Sequence, residues 1–146
     1  MSFVKTQLIQ FIVMTIMGIC FNPMNMLAYK FKHLYFSLTL FYGGLLMASN
    51  MIWGHEFIHY FSHGQFNWKL FIFGLCLSGL LVIIMRKQYL VNDNQWLKRM
   101  ISHHSTALTT STIIEKKSEN KELKKLASNI VDTQNKEIQL MTNMIE

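Results

Sequence analysis

A chain of 146 residues is long enough for one soluble domain, or for a few membrane helices with a small appendage, but not for both at generous size. Charge separates these cases: the only Lys and Arg residues before Arg86 are Lys5, Lys30, Lys32 and Lys69, and the only acidic residue there is Glu56. The net charge of +6 does not point to nucleic acid, because charges in the C-terminal part alternate in sign, as in Glu115-Lys116-Lys117-Ser118-Glu119, the pattern of a solvated helix face.

Three apolar stretches read as membrane helices, with spans of about 6–29, 34–54 and 68–86, since a bilayer core of about 30 Å asks for about 20 apolar residues. The first follows Lys5 as a signal peptide would, yet no small-x-small cleavage site follows Cys20, so the segment is expected to stay. Asn22, Pro23 and Asn25 near its end are expected to kink or end the helix. The third is short, and Lys69 can snorkel outward while Phe66 and Trp68 sit in the interface. Cys20 and Cys76 both fall in apolar segments and have no metal or disulfide spacing. Lys30, Lys32, Arg86 and Lys87 lie on one side of these spans, and Lys5 and Lys69 on the other. The positive-inside rule then predicts an integral, multi-pass protein in a lipid bilayer with a cytoplasmic C-terminal domain. Residues 1–87 form the expected transmembrane region and 88–146 the expected C-terminal domain.

At the end of the second span, His55-Glu56-Phe57-Ile58-His59 fits HExxH, the helical zinc motif in which glutamate acts as general base, and His63 continues the row. Three ligands strung over about 12 Å of one helix cannot converge on one ion. A zinc-dependent membrane protease would also need a third ligand and a water-filled cavity. No catalytic residue is therefore assigned, and a non-enzymatic protein is expected. The row reads first as an interfacial cluster beside Trp53, Phe57, Tyr60 and Phe61, and second as a further candidate metal cluster of His55, His59 and His63.

From Asn92 onward apolar residues recur at helical intervals: Trp96, Leu97, Met100, Ile101, His104, Ala107, Leu108, Ile113 and Ile114. A break is expected around Ser118 to Asn120, after which Leu123, Leu126, Ala127, Ile130, Val131, Gln134, Ile138, Met141 and Ile145 continue the pattern. Two antiparallel helices with a short turn fit best. Each helix has only one apolar stripe, so the hairpin should complete its core as a homo-oligomer or on the ends of the spans. A metal-independent oligomerisation or interaction module is the alternative to metal binding.

His103 and His104 are adjacent, so on a helix they point about 100° apart and cannot form a site alone. Met100 lies one turn before them, and Gln134, Glu137, Ile138 and Met141 share a face of the second helix. Facing helices would bring imidazole, carboxylate and thioether together, a set that suits copper, with thioether selecting Cu(I).

The stretch Trp96-Leu97-Lys98-Arg99-Met100-Ile101-Ser102-His103-His104-Ser105-Thr106-Ala107-Leu108, followed by Glu122-Leu123 and by Gln134-Asn135-Lys136-Glu137-Ile138-Gln139-Leu140-Met141, resembles the domain of unknown function family 305. The resemblance covers about residues 92–145 and implies a ferritin-like architecture, here an all-α chain of three transmembrane helices followed by a half-bundle hairpin. It also implies copper binding through His103, His104 and Met141, with Met100 and Glu137 as weaker ligands. Two positions depart from the pattern of many soluble members: Ser102, where they have proline, and Thr110, near which they have methionine. The preceding spans resemble a membrane-anchored bacterial subgroup in which the domain opens as His103-His104-Ser105 through Thr110-Ser111 does here.

Overall fold

The computed structural model describes residues 3–145, and their regular structure is all helical. In chain order it comprises α1 (Phe3–Cys20), a short α2 (Pro23–Met26), a 3-10 turn (Phe31–His33), α3 (Leu38–His63), α4 (Trp68–Arg86), α5 (Asp93–Lys117) and α6 (Lys121–Ile145). These elements form two compact units, one of residues 1–21 and 38–90, the other of residues 22–37 and 91–146. The expected domain boundary lies at 87/88. The units instead divide after Leu90, and residues 22–37, expected in the transmembrane region, pack with the C-terminal helices.

In the first unit α3 packs against both α1 and α4. Small residues set these crossings. A Cβ on Gly18 would stand 3.0 Å from the Gly44 Cα, one on Gly44 2.8 Å from the Thr15 carbonyl oxygen, and one on Gly74 2.9 Å from the Trp53 amide nitrogen. Ser49 and Ser78 share a buried hydroxyl–hydroxyl hydrogen bond of 2.9 Å. The outer faces are the reverse: Leu8, Ile12, Val13 and Ile16 of α1 and Ile72, Phe73, Leu80 and Ile83 of α4 are exposed. Small and hydroxyl residues between helices, with large apolar ones outside, suit an apolar solvent.

Two stretches among the described residues are long and apolar enough to cross a membrane, Lys5–Met26, which runs from α1 through α2, and Trp68–Arg86. Only 11% and 17% of their residues are buried, whereas a soluble core helix would be mostly covered. The expectation of three spans is thus supported on length and apolarity for two. With 26 residues α3 has the length, but Gly43-Gly44, Ser49-Asn50 and Gly54-His55-Glu56 dilute its apolar character.

Boundaries shift for local reasons. The first helix ends at Cys20 instead of near residue 29, because Asn22 caps α2 by accepting from the Asn25 amide at 3.1 Å and Pro23 occupies its first position. The second starts at Leu38 instead of residue 34 and runs past Gly54 to His63. It stops at Gly64, whose φ of +69° is left-handed and whose amide donates to the Tyr60 carbonyl at 2.8 Å. The third matches its expected bounds, with Asn67 capping the Leu70 amide at 3.2 Å.

In the second unit α5 and α6 lie against each other, joined by residues 118–120. Asn92 caps α5 through the Gln95 amide at 2.9 Å, and the Asn120 side chain accepts from the amides of Glu122 and Leu123 at the start of α6. Leu97, Ile101 and Leu108 of α5 form one core with Ile138 and Met141 of α6, and Tyr35 and Met100 pack at its edge.

Candidate metal centre

The face of α5 beside its apolar stripe is lined with hydroxyls, and these hold residues 22–37. Ser105 Oγ accepts from the Tyr29 amide at 2.8 Å and lies 2.9 Å from His33 Nδ1. Ser102 Oγ donates to the His33 carbonyl at 2.8 Å, and Thr106 Oγ1 donates to the Met24 carbonyl at 3.0 Å. Ser102, Ser105 and His33 are buried as a result. This gives the departure at Ser102 a structural role, since a proline has no hydroxyl for the incoming backbone. The other departure, Thr110, is exposed and turns its hydroxyl back onto carbonyls of its own helix.

On the α6 side His104 Nδ1 stands 3.0 Å from Glu137 Oε2. The distance is that of an ion pair, although the angle falls short of a hydrogen bond. Gln134 Nε2 approaches the same Glu137 oxygen at 3.5 Å. His103 is exposed, with its ring 5.9 Å from that of His104 at 61°, so the adjacent imidazoles diverge as the helical geometry requires. Met141 is a core residue at 6% exposure, and Met100 is half-buried beside it. The structure therefore brings together His104 and Glu137, leaves His103 beside them in solvent, and puts the Met141 thioether into apolar packing. Among the described residues no three His, Cys, Asp or Glu side chains converge on one ion.

A carboxylate at Nδ1 changes the part that Glu137 can take. It orients the imidazole and leaves Nε2 as the ligand nitrogen, the usual support of a metal-binding histidine.

Two histidines of this unit lie below their ordinary value of 6.5. Burial lowers His33, with the charges of Lys32 and Lys30 adding to it. Burial also lowers His104; Glu137 pulls the other way, and His103 adds to the lowering. A depressed histidine takes up its proton more readily in the unfolded chain. Its contribution to stability is complete above the unfolded value and is lost as pH falls from there through the folded value. The second unit should melt at a lower temperature at about pH 5.5 than at about pH 7.5, by a margin that shrinks in His33→Asn. Equal melting temperatures at the two pH values would contradict this.

The second candidate cluster lies in the first unit. The rings of His55 and His59 are 6.1 Å apart, and those of His59 and His63 are 4.8 Å apart, all nearly parallel. Glu56 is buried, and its Oε2 accepts from the Asn67 amide at 3.0 Å, at the entry to α4. That bond ties one oxygen of the carboxylate to the chain. Trp53, Phe57, Phe66, Trp68 and Phe71 form a network of ring contacts around this end of the unit.

Charge places His33 on the same side as the C-terminal helices, but pattern reading gives it no contact there. It lies outside any helical periodicity, and its only signal is a single histidine between Lys32 and a short apolar run.

Fold and site together define a helical protein in which a pair of helices with a histidine face follows apolar helices. Residues 86–145 match the family described as a domain of unknown function, DUF305. Over 125 residues the chain is 30% identical to the uncharacterized protein L153 of Acanthamoeba polyphaga mimivirus, covering 86% of this chain and 82% of the viral one. The chain belongs to the same family as that viral protein and carries a DUF305 domain at its C-terminal end. The aligned length exceeds that of the domain, so the likeness reaches into the preceding helices. No solved structure matches the chain.

Proposed function

We propose that this is a membrane-anchored, non-enzymatic metal-binding protein that handles copper, with α5 and α6 as an antiparallel, ferritin-like half-bundle carrying the site. The observation that carries the reading is the contact of His104 Nδ1 with Glu137 Oε2 at 3.0 Å. It directs Nε2 of His104 to a ligand, with Met100 one turn away on the same helix and His103 exposed beside it. Imidazole with thioether favours Cu(I), and Met141 joins the set on a small opening between the helices.

Parity supports a crossing by α3 together with α4. Residues 22–37 and α5 belong to one compact unit, so both occupy one face of the membrane. The chain between them must then cross an even number of times. A crossing by α4 requires a crossing by α3. The basic residues Lys30, Lys32, Arg86 and Lys87 favour the cytoplasm for that face.

Cu(I) titration of the full-length protein in mild detergent against a chromogenic chelator tests the site. The full chain is needed because residues 22–37 complete the second unit. A His103→Ala, His104→Ala variant should bind at least about tenfold more weakly. Unchanged affinity would remove the assignment.

A second reading, association without metal, is favoured by a groove of about 210 Å³ between α5 and α6, lined by Thr110, Ile114, Leu123, Leu126 and Ile130. Leu123 and Leu126 are exposed, and a second copy would supply two more helices to cover them. That reading predicts the same oligomeric state with and without chelator.

A further inference from the structure

The histidine row of α3 has no part in the proposed copper site, and its surroundings carry more than interfacial packing. We propose that His59 and His55 form a second site, a two-histidine chelate for a divalent cation of the imidazole-preferring kind, represented by Zn²⁺. The two residues are one helical turn apart on one face. His59 Nδ1 lies 3.1 Å from the Gln65 carbonyl oxygen. A carbonyl can only accept, so Nδ1 carries the hydrogen and the lone pair of Nε2 is free. A ligand histidine is commonly fixed in this way by a backbone carbonyl.

For His55, Nδ1 is closed off from solvent without a hydrogen-bond partner, which leaves Nε2 as the nitrogen it can present. His55, Glu56 and His59 line one cavity of about 640 Å³ with residues 65–69, large enough for an ion that keeps several waters. The buried Glu56 carboxylate, held at one oxygen by the Asn67 amide, adds negative charge to the wall. Lys69 also lines the cavity and opposes that charge from a long flexible stem.

His63 does not line the cavity and is exposed, and the row is too long for one ion to reach all three rings. With no third His, Cys, Asp or Glu converging among the described residues, water completes the coordination. A nitrogen-only ligand set suits Zn²⁺, Ni²⁺ or Cu²⁺, whereas the thioether-containing set on α5 suits Cu(I). The two sites are therefore separable by the ion they take.

The test is Zn²⁺ titration, against a chromogenic chelator, of the full-length protein in mild detergent carrying His103→Ala and His104→Ala, which silences the other site. In that background His59→Asn keeps a donor for the Gln65 carbonyl and removes Nε2. It should weaken Zn²⁺ binding at least about tenfold with no change in metal-free melting temperature. His55→Ala should weaken binding comparably, and His63→Ala should leave it unchanged. Zn²⁺ should raise the melting temperature of the parent and not that of His59→Asn. Equal Zn²⁺ affinity in the parent, His55→Ala and His59→Asn would overturn the site. A loss in His63→Ala as large as that in His55→Ala would overturn its placement in the cavity.

Discussion

Replacing Ser105 by alanine is expected to loosen residues 22–37 from α5 and to destabilise the second unit by about 1–3 kcal/mol, chiefly through the buried His33 ring nitrogen left without a partner, with a smaller loss at the part-buried Tyr29 amide. Two groups depend on this hydroxyl, the Tyr29 amide at 2.8 Å and His33 Nδ1 at 2.9 Å. Ser105 has no solvent exposure, so water cannot replace the lost bonds without the segment moving. Hydrogen exchange should show the Tyr29 amide losing protection while amides in the middle of α6 keep theirs. Ser105→Thr retains the hydroxyl and should retain more of that protection. A Ser105→Ala protein with wild-type stability and a protected Tyr29 amide would show that the hydroxyl does not hold the segment.

The other large effect is expected at Gly44. A Cβ there would meet the Thr15 carbonyl oxygen at 2.8 Å and Ile19 Cγ1 at 2.7 Å. The first is backbone and cannot swing aside, so Gly44→Val must separate α1 from α3. Overpacking of this kind costs about 1–3 kcal/mol, and more where backbone has to move. Adjacent Gly43 is an internal control, because a Cβ there meets nothing within 4 Å. In detergent, Gly44→Val should lower the melting temperature and make the α1–α3 connection more susceptible to protease, with Gly43→Ala close to wild type. Equal behaviour of the two variants would place the close crossing elsewhere.

Much of this fold was legible because it rests on periodic apolar patterning. The bounds of α4, the break at residues 118–120, and the opposed stripes around Leu97, Ile101, Leu108, Ile138 and Met141 all follow from spacing. The packing of residues 22–37 on α5 was not legible. It is made by Ser102, Ser105 and Thr106 hydroxyls on backbone groups, and a hydroxyl stripe on a helix reads the same whether it faces water or another segment. The extension of α3 to His63 was obscured because the apolar run ends before the helix does. Polar side chains at the end of an apolar helix lower its hydropathy without interrupting its hydrogen bonds.

The candidate site was legible as a list of residues and less so as geometry. Adjacency already implied that His103 and His104 diverge, and their rings lie at 61°. Spacing put Met141 on the apolar stripe but could not tell whether its thioether packs or faces a ligand, nor that Glu137 would approach the histidine. A methionine at a helix-facing position serves either as packing or as a ligand, and only the neighbouring side chains decide.

The most direct test of the central claim is the copper content of the intact protein, purified in mild detergent and equilibrated by dialysis with buffered Cu(I) under reducing conditions. The account predicts bound copper in the wild type and its loss in a Met100→Ala, His103→Ala, His104→Ala variant that keeps its helical content. Copper-free wild type, with the same oligomeric state whether or not chelator is present, would contradict metal binding and favour the reading of association without metal.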